Sequence, residues 1–447
     1  YFKTLVMKIG LTKIILINLI IATFLYIFLF IIYPGNSSYF DCNQLVENNL
    51  FNSQISYSIP VSCDQELYLI GVYDFQSIYT FDYNYQTRPL YILIVKTFYD
   101  ILNILLSNSL IIKFLSFNLT HLLIVSFSTK VFFDSLERLK ILINNKSKIL
   151  LSLFLFLTPI IKWGIFDSSH QTLTFLQFSL SFYFLVYKFT DYKKIYLYSF
   201  LLGLLALANM TFILPLIFLI FYKINSIDKF FINFGNNLFA FLLFIIPVLS
   251  WNQFIIYEGF DPYNAAIEYW NQFIWIIYFF KDGTEMIAEQ AGVESTFCMS
   301  VPLYLKCYLV DFSRSLLYLF NLIVLLLGTY KYVEVKEKEL YISLLKKLLI
   351  IFLVTFFFWS FIGWYPPLRF TLYSLGSFLT LLFCIQFIFI NNNKIKNLSA
   401  SSYFLYFLFL NHWNFEGIIK INIGLIISIL LSLYIAFEYA YKTTLKR

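Results

Sequence analysis

The sequence predicts an all-α, polytopic membrane protein, and three observations carry that expectation. Of its 447 residues, 60% are hydrophobic and only 13% are charged. The apolar residues fall in repeated blocks of roughly twenty, the length a helix needs to cross the hydrocarbon core of a bilayer. Lysines gather between alternate blocks. A soluble core has no use for so much apolar sequence. The chain is long enough for two or three soluble domains, but is expected instead to form a single transmembrane domain over 1–447, one helical bundle with loops on two sides. No internal repeat is evident, and Phe, Ile, Tyr, Asn and Lys are abundant throughout, so single aromatics carry little weight.

Twelve candidate spans follow, at about 11–33, 108–129, 149–166, 170–188, 194–208, 210–224, 232–254, 311–330, 343–363, 369–390, 399–411 and 418–440. The fifth, sixth and eleventh are short for a crossing. The first apolar run, about Leu11 to Ile32, is long enough to remain as an anchor rather than be cleaved as a signal peptide. Lys3, Lys8 and Lys13 put the N-terminal side in the cytoplasm by the positive-inside rule. Most of the 32 basic residues then fall on inner segments: Lys130 to Lys148, Lys188 to Lys194, Lys223 and Lys229, Lys331 to Lys347, Lys394 and Lys396, and Lys442 to Arg447. An even number of spans places both termini inside. The formal net charge of +7 is accounted for by these flanking lysines, and nucleic acid is not an expected partner.

Most of the 25 acidic residues lie on the other side, in two long outer segments at 34–107 and 255–310. Loops of such length are uncommon unless functional, so the working face is expected to be extracytoplasmic. In the second, the apolar stretch Ala265 to Phe280 could lie at the interface or enter the membrane. In the first, SSYFDCNQLVENNLFNSQIS reads as a helix opened by Asp41, with Leu45, Asn48 and Asn49 at helical spacing. An Asp at that position has an ordinary explanation as an N-cap. Further on, DYNYQTRPLYILIVKTFYDILNILL reads as an apolar helix begun by Arg88 and Pro89, in which Lys96 and Asp100 can pair on one face. Charge balance prefers this helix at the outer surface rather than across the membrane.

These residues carry a resemblance. The pattern D-x3-L-x2-N-x-L-F at Asp41, followed by R-P-L-Y at Arg88, resembles the GT-C superfamily of integral-membrane glycosyltransferases, in particular the branch of protein mannosyltransferases and bacterial aminoarabinose transferases. TPIIKWGIFDSSHQTLTFLQFSLSF, LLGLLALANMTFILPL and WYPPLRFTLYSLGSF are similar to later helix turns and pairs of that family, in the same order. Many relatives have Asp-Glu where this chain has Asp41 and Cys42, so the acidic partner is unassigned.

The resemblance implies a bundle of about twelve transmembrane helices, with two large extracytoplasmic loops containing juxtamembrane helices, in the inner (plasma) membrane of a bacterium. It also implies transfer of a sugar from polyprenyl phosphate to a lipid, glycan or protein acceptor of the cell envelope. An acceptor hydroxyl attacking an anomeric carbon needs a carboxylate to take its proton, and Asp41 matches that position. The departing lipid phosphate needs cations, and Arg88, Lys162 and Arg369 are the outer-side cations for it. Lys162 has an alternative as a snorkelling anchor and Arg369 as an interfacial one. Arg suits phosphate because its planar fork donates two parallel hydrogen bonds. Asp167 and His170 could hold the acceptor or share a divalent ion, although one turn supplies too few ligands for a metal site; capping of the next helix is the competing explanation.

No soluble cofactor is expected, with a divalent cation left open. The sequence has no Gly-rich phosphate loop, CxxC pair or Ser/His/Asp signature to support nucleotide-driven transport or zinc hydrolysis. Cys42 and Cys63 share the first outer segment and Cys298 and Cys307 the second, which suits disulfides in an oxidising space, or chance among five cysteines. Two rival functions remain. A transporter or flippase would need polar residues deep in several spans. An outer-face polysaccharide polymerase or ligase would lean on outer-loop arginines, which are scarce here.

Overall fold

The computed structural model describes residues 10–32, 44–49, 56–61, 63–80, 84–107, 109–141, 143–166, 172–187, 189, 191–221, 233–262, 313, 315–361, 367–410 and 423–444. These are helical except for one hairpin, in which β1 (Gln44–Asn49) pairs antiparallel with β2 (Ser56–Val61). The hairpin corrects the expected helix after Asp41. Leu45, Asn48 and Asn49 lie in a strand, with Val46 opposite Ile59 and Asn48 opposite Tyr57. Asn favours turns over helix interiors, whereas the β-branched and aromatic residues of both segments suit strands. Pro60 is tolerated because both strands of a two-stranded sheet are edges.

The described residues fall in two compact units, Tyr1–Asn144 with Ile161–Tyr263, and Asn145–Ile160 with Asn264–Arg447. In the first, α1 (Leu11–Ile32) is followed after the hairpin by α2 (Cys63–Tyr73), α3 (Ser77–Thr80) and α4 (Pro89–Leu105). Then come α5 (Ser109–Arg138), α7 (Pro159–Phe166, in this unit from Ile161 onward), α8 (Leu173–Val186), α9 (Tyr192–Ala206), α10 (Ile213–Phe221) and α11 (Phe234–Tyr257), with α6 (Asn145–Phe156) belonging to the second unit. The long α5 is central, packing against α1, α4 and α8. α9 and α11 meet at Gly203, where a Cβ would fall 2.3 Å from the Phe244 carbonyl oxygen. Only a residue without a side chain permits that approach.

The second unit joins α6 to α12 (Phe320–Thr329), α13 (Lys338–Phe361), α14 (Pro367–Phe389), α15 (Asn393–Phe409) and α16 (Ile423–Thr444). Its helices are joined by buried polar groups, the usual glue where lipid supplies no hydrophobic driving force. The Asn321 amide donates to Ser428 Oγ at 2.7 Å and Ser402 Oγ at 3.3 Å. Gln386 donates to the Leu326 carbonyl and Thr329 Oγ1, both at 2.7 Å, and accepts from the Tyr341 hydroxyl at 2.6 Å.

Every one of the twelve candidate spans carries a helix, but not always one. The span at 149–166 is two, α6 and α7, separated at Thr158–Pro159. Pro159 has no N–H to give the preceding turn, and its ring blocks continuation of that helix. Three described helices are long and apolar enough to cross a membrane by length and composition, Ile111–Arg138, Phe234–Tyr257 and Val335–Phe358. The last two leave large apolar side chains exposed along their length, including Leu238, Phe239, Leu242 and Leu249 on α11 and Ile350, Leu353 and Phe357 on α13. Water does not tolerate such continuous apolar faces, and a bilayer does.

Candidate functional site on the first unit

The start of α4 is the best-defined of the sequence-predicted site regions. Arg88 is its N-cap residue and Pro89 its first helical residue, where the fixed φ of proline is pre-organised and its missing N–H costs nothing. The next amide, on Leu90, would be unsatisfied within the helix, and donates instead to the Leu207 carbonyl at 3.1 Å in the corner after α9. The expected Lys96–Asp100 pair forms at 3.2 Å, and Lys96 also donates to the Val72 carbonyl at 3.3 Å. One face of α4 is buried through Tyr91, Ile92 and Val95, while Leu93, Ile101, Ile104 and Leu105 stay exposed. α4 therefore has one face covered by protein and one apolar face without protein cover.

Around Arg88 the polar groups converge. Its guanidinium donates to the Tyr68 hydroxyl, and the Tyr68 ring stands edge-on to Tyr91 at 5.2 Å. Two residues earlier, the buried Gln86 amide donates to the Tyr79 carbonyl at 3.3 Å and to the Asp261 carbonyl at 3.4 Å. The Gln86 carbonyl accepts from the Trp251 indole at 2.9 Å. Tyr79 packs edge-on against Phe254 and Phe260. Gln86 thereby ties the first long segment to the end of α11 and the beginning of the second.

A neighbouring corner continues the cluster. Asn209 caps the short turn Met210–Phe212, accepting from the Thr211 amide at 3.0 Å and its hydroxyl at 2.6 Å, and Gln177 of α8 donates to that hydroxyl. Gln177 lies one turn into the helix that follows Asp167 and His170. The beginnings of α4 and α8 and the corner between α9 and α10 therefore share one end of the unit.

Lys162 lies in α7 and is 1% exposed. A snorkelling lysine keeps its ammonium in water and would be exposed in the protein alone, so the anchor explanation does not describe it. His121 of α5 is buried beside the Ile161 backbone, next to Lys162 in sequence. Arg88 and Lys162 belong to the first unit; Arg369 belongs to the second, in the first turn of α14 behind Pro367. The Arg369 side chain, Asp41, Asp167 and His170 lie outside the described residues, as do the Cys42–Cys63 and Cys298–Cys307 pairings and the stretch Ala265 to Phe280. Cys384 is buried within α14. Among the described residues no three His, Cys, Asp or Glu side chains gather as a metal site would need.

Sequence reading missed Gln86, Tyr68, Trp251, Gln177 and Asn209. Gln86 stood two residues before Arg88 in a polar run, which was the available signal; Asn209 caps its own turn two residues from Thr211, and Tyr68, Gln177 and Trp251 pair across 20, 34 and 165 residues. Comparison with known proteins finds no matching family model, no matching curated protein and no matching solved structure.

Proposed function

We propose that the chain is a GT-C-like glycosyltransferase of about twelve spans, with both termini cytoplasmic, in a bacterial inner membrane. It moves a sugar from polyprenyl phosphate to a lipid, glycan or protein acceptor on the extracytoplasmic face. The observation that carries the reading is Lys162, a lysine enclosed by protein within an apolar helix. Ionisable groups in such helices are costly and are characteristically kept for function, and a lipid phosphate is an anion that meets a membrane helix at its end. The clustering around Arg88 supports the same ligand, and the resemblance adds Arg369 as a further cation for it.

In this reading Arg88, Lys162 and Arg369 receive charge as the carrier phosphate departs, and Asp41 takes the proton of the attacking hydroxyl. The bond between anomeric carbon and phosphate oxygen breaks while the acceptor oxygen bonds to that carbon. Asp167 and His170 hold the acceptor. Mass spectrometry of cell-envelope glycans and lipids, with and without the gene, tests the reading. A sugar modification that disappears with the gene is expected; identical profiles would count against it.

One observation favours a transporter or flippase. Asn18, Gln177, Asn321 and Gln386 are buried polar residues in four different helices. Each, however, donates to a side chain of a neighbouring helix or turn, as residues that hold helices together do. Glycosyl transfer is therefore the preferred reading, and substrate uptake by reconstituted vesicles would reverse that order.

A further inference from the structure

The geometry points to a monovalent alkali cation held inside the first unit between α1, α5 and α8, by the neutral oxygens of Asn18, Ser126, Thr129 and Ser179. All four side chains are fully buried. The Asn18 amide donates to Ser126 Oγ at 3.1 Å, which joins α1 to α5. Thr129 lies three residues beyond Ser126, the spacing that brings side chains together on a helix surface. Ser179 is brought in by the helix register. Phe132 packs on Phe182 at 6.0 Å, and the Arg138 guanidinium lies 4.3 Å from the Tyr187 ring centre, so α5 and α8 run parallel. Thr129 and Ser179 each lie one turn before the member of the Phe132–Phe182 pair on their own helix.

Three oxygens of this group are left without a hydrogen-bond partner: Asn18 Oδ1, Thr129 Oγ1 and Ser179 Oγ. The usual partner was close at hand. A buried helical hydroxyl normally donates to the carbonyl one turn back, and Ser116, Thr120, Ser128 and Ser135 of the same α5 all do so, at 2.7–2.9 Å. Thr129 does not, although it is as buried as they are. Unmatched polar oxygens in an apolar interior are expensive, and an occupant that accepts their lone pairs removes the cost.

The chemistry of the oxygens selects the occupant. One carboxamide and three hydroxyls are hard, neutral donors, which suit an alkali ion and give no preference to zinc or copper. Calcium and magnesium sites use carboxylates; neither Leu11–Ile32 nor Leu173–Val186 contains an acidic residue, and the two of α5, Asp134 and Glu137, lie beyond the Phe132 contact, with Asp134 paired to Lys130. A single positive charge is what neutral dipoles can hold away from water. This inference does not depend on the proposed reaction.

The test is thermal melting of the purified full-length chain in sodium, potassium or choline chloride at equal ionic strength. The expected result is a melting temperature that rises by several degrees in at least one alkali salt over choline, saturates with concentration, and loses this dependence in Asn18→Leu and Thr129→Val. If Thr129→Val does not fold, Ser179→Ala removes a single oxygen and gives the same reading. Equal melting of the wild type in all three salts, as buried water would give, overturns the proposal. A salt-specific rise that survives the substitutions overturns it equally.

Discussion

Replacing Gly203 by Ala tests the packing that holds the first unit together. By helix propensity alone the change stabilises, by about 1 kcal/mol. The geometry opposes it. The new Cβ would stand 2.3 Å from the Phe244 oxygen, 2.9 Å from its carbonyl carbon and 3.0 Å from its Cα. These are backbone atoms of α11 and cannot rotate aside as a side-chain end could. The two helices must separate by roughly 1 Å, forfeiting van der Waals contact along their shared face, and overpacking of this kind costs about 1–3 kcal/mol or more. The steric cost therefore outweighs the propensity gain. Thermal melting of purified protein should show Gly203→Ala lower by a few degrees. Gly235→Ala, in the same α11 but with open space around its Cβ, is the control and should be neutral or slightly stabilised. Equal or higher stability of Gly203→Ala would mean that α9 and α11 do not touch at this point.

Three further outcomes follow from the arrangement. Cysteine labelling of intact cells should modify a cysteine placed at Gln54 and spare one placed at Glu337; the reverse would invert the orientation and the proposed working face. Non-reducing peptide mapping should find Cys42 joined to Cys63, a crosslink contributing about 3 kcal/mol in the chain-entropy model, and free thiols at both positions would remove it. Arg369→Lys keeps the charge but loses the bidentate fork, so it and Lys162→Ala should weaken use of the polyprenyl-phosphate donor while leaving the protein inserted. Unchanged donor dependence in both variants would take these cations out of phosphate binding.

The helices were legible because membrane helices must satisfy every backbone group internally, which writes their positions as apolar blocks. Each candidate span carries a helix, and the start of α4 at Arg88–Pro89 with its Lys96–Asp100 pair lies where the residues placed it. The break at Pro159 was carried by one residue inside an otherwise continuous apolar run. The hairpin was misread because Leu45, Asn48 and Asn49 fit a helical face, while the strand depends on a partner, Ser56–Val61, that periodicity within one segment does not reveal. The same limit applies to the site. Arg88 could be named from its neighbours in sequence, but Gln86 ties in the end of α11 through Trp251 and Asp261, more than a hundred residues away. Lys162 was recognisable as an unusual cation, yet its enclosure by protein depends on helices elsewhere in the chain.

The central claim is tested most directly by transfer of labelled sugar from polyprenyl phosphate, measured with purified wild type and Asp41→Asn beside melting curves of both. Asn keeps the size of Asp and one of its hydrogen-bond acceptors but cannot take up a proton, so the substitution isolates the loss of the base. The account predicts transfer by the wild type and a loss of about 10²- to 10⁴-fold in Asp41→Asn at unchanged melting temperature. Near-normal turnover by the variant, or no transfer from any polyprenyl-phosphate sugar by the wild type, would contradict it.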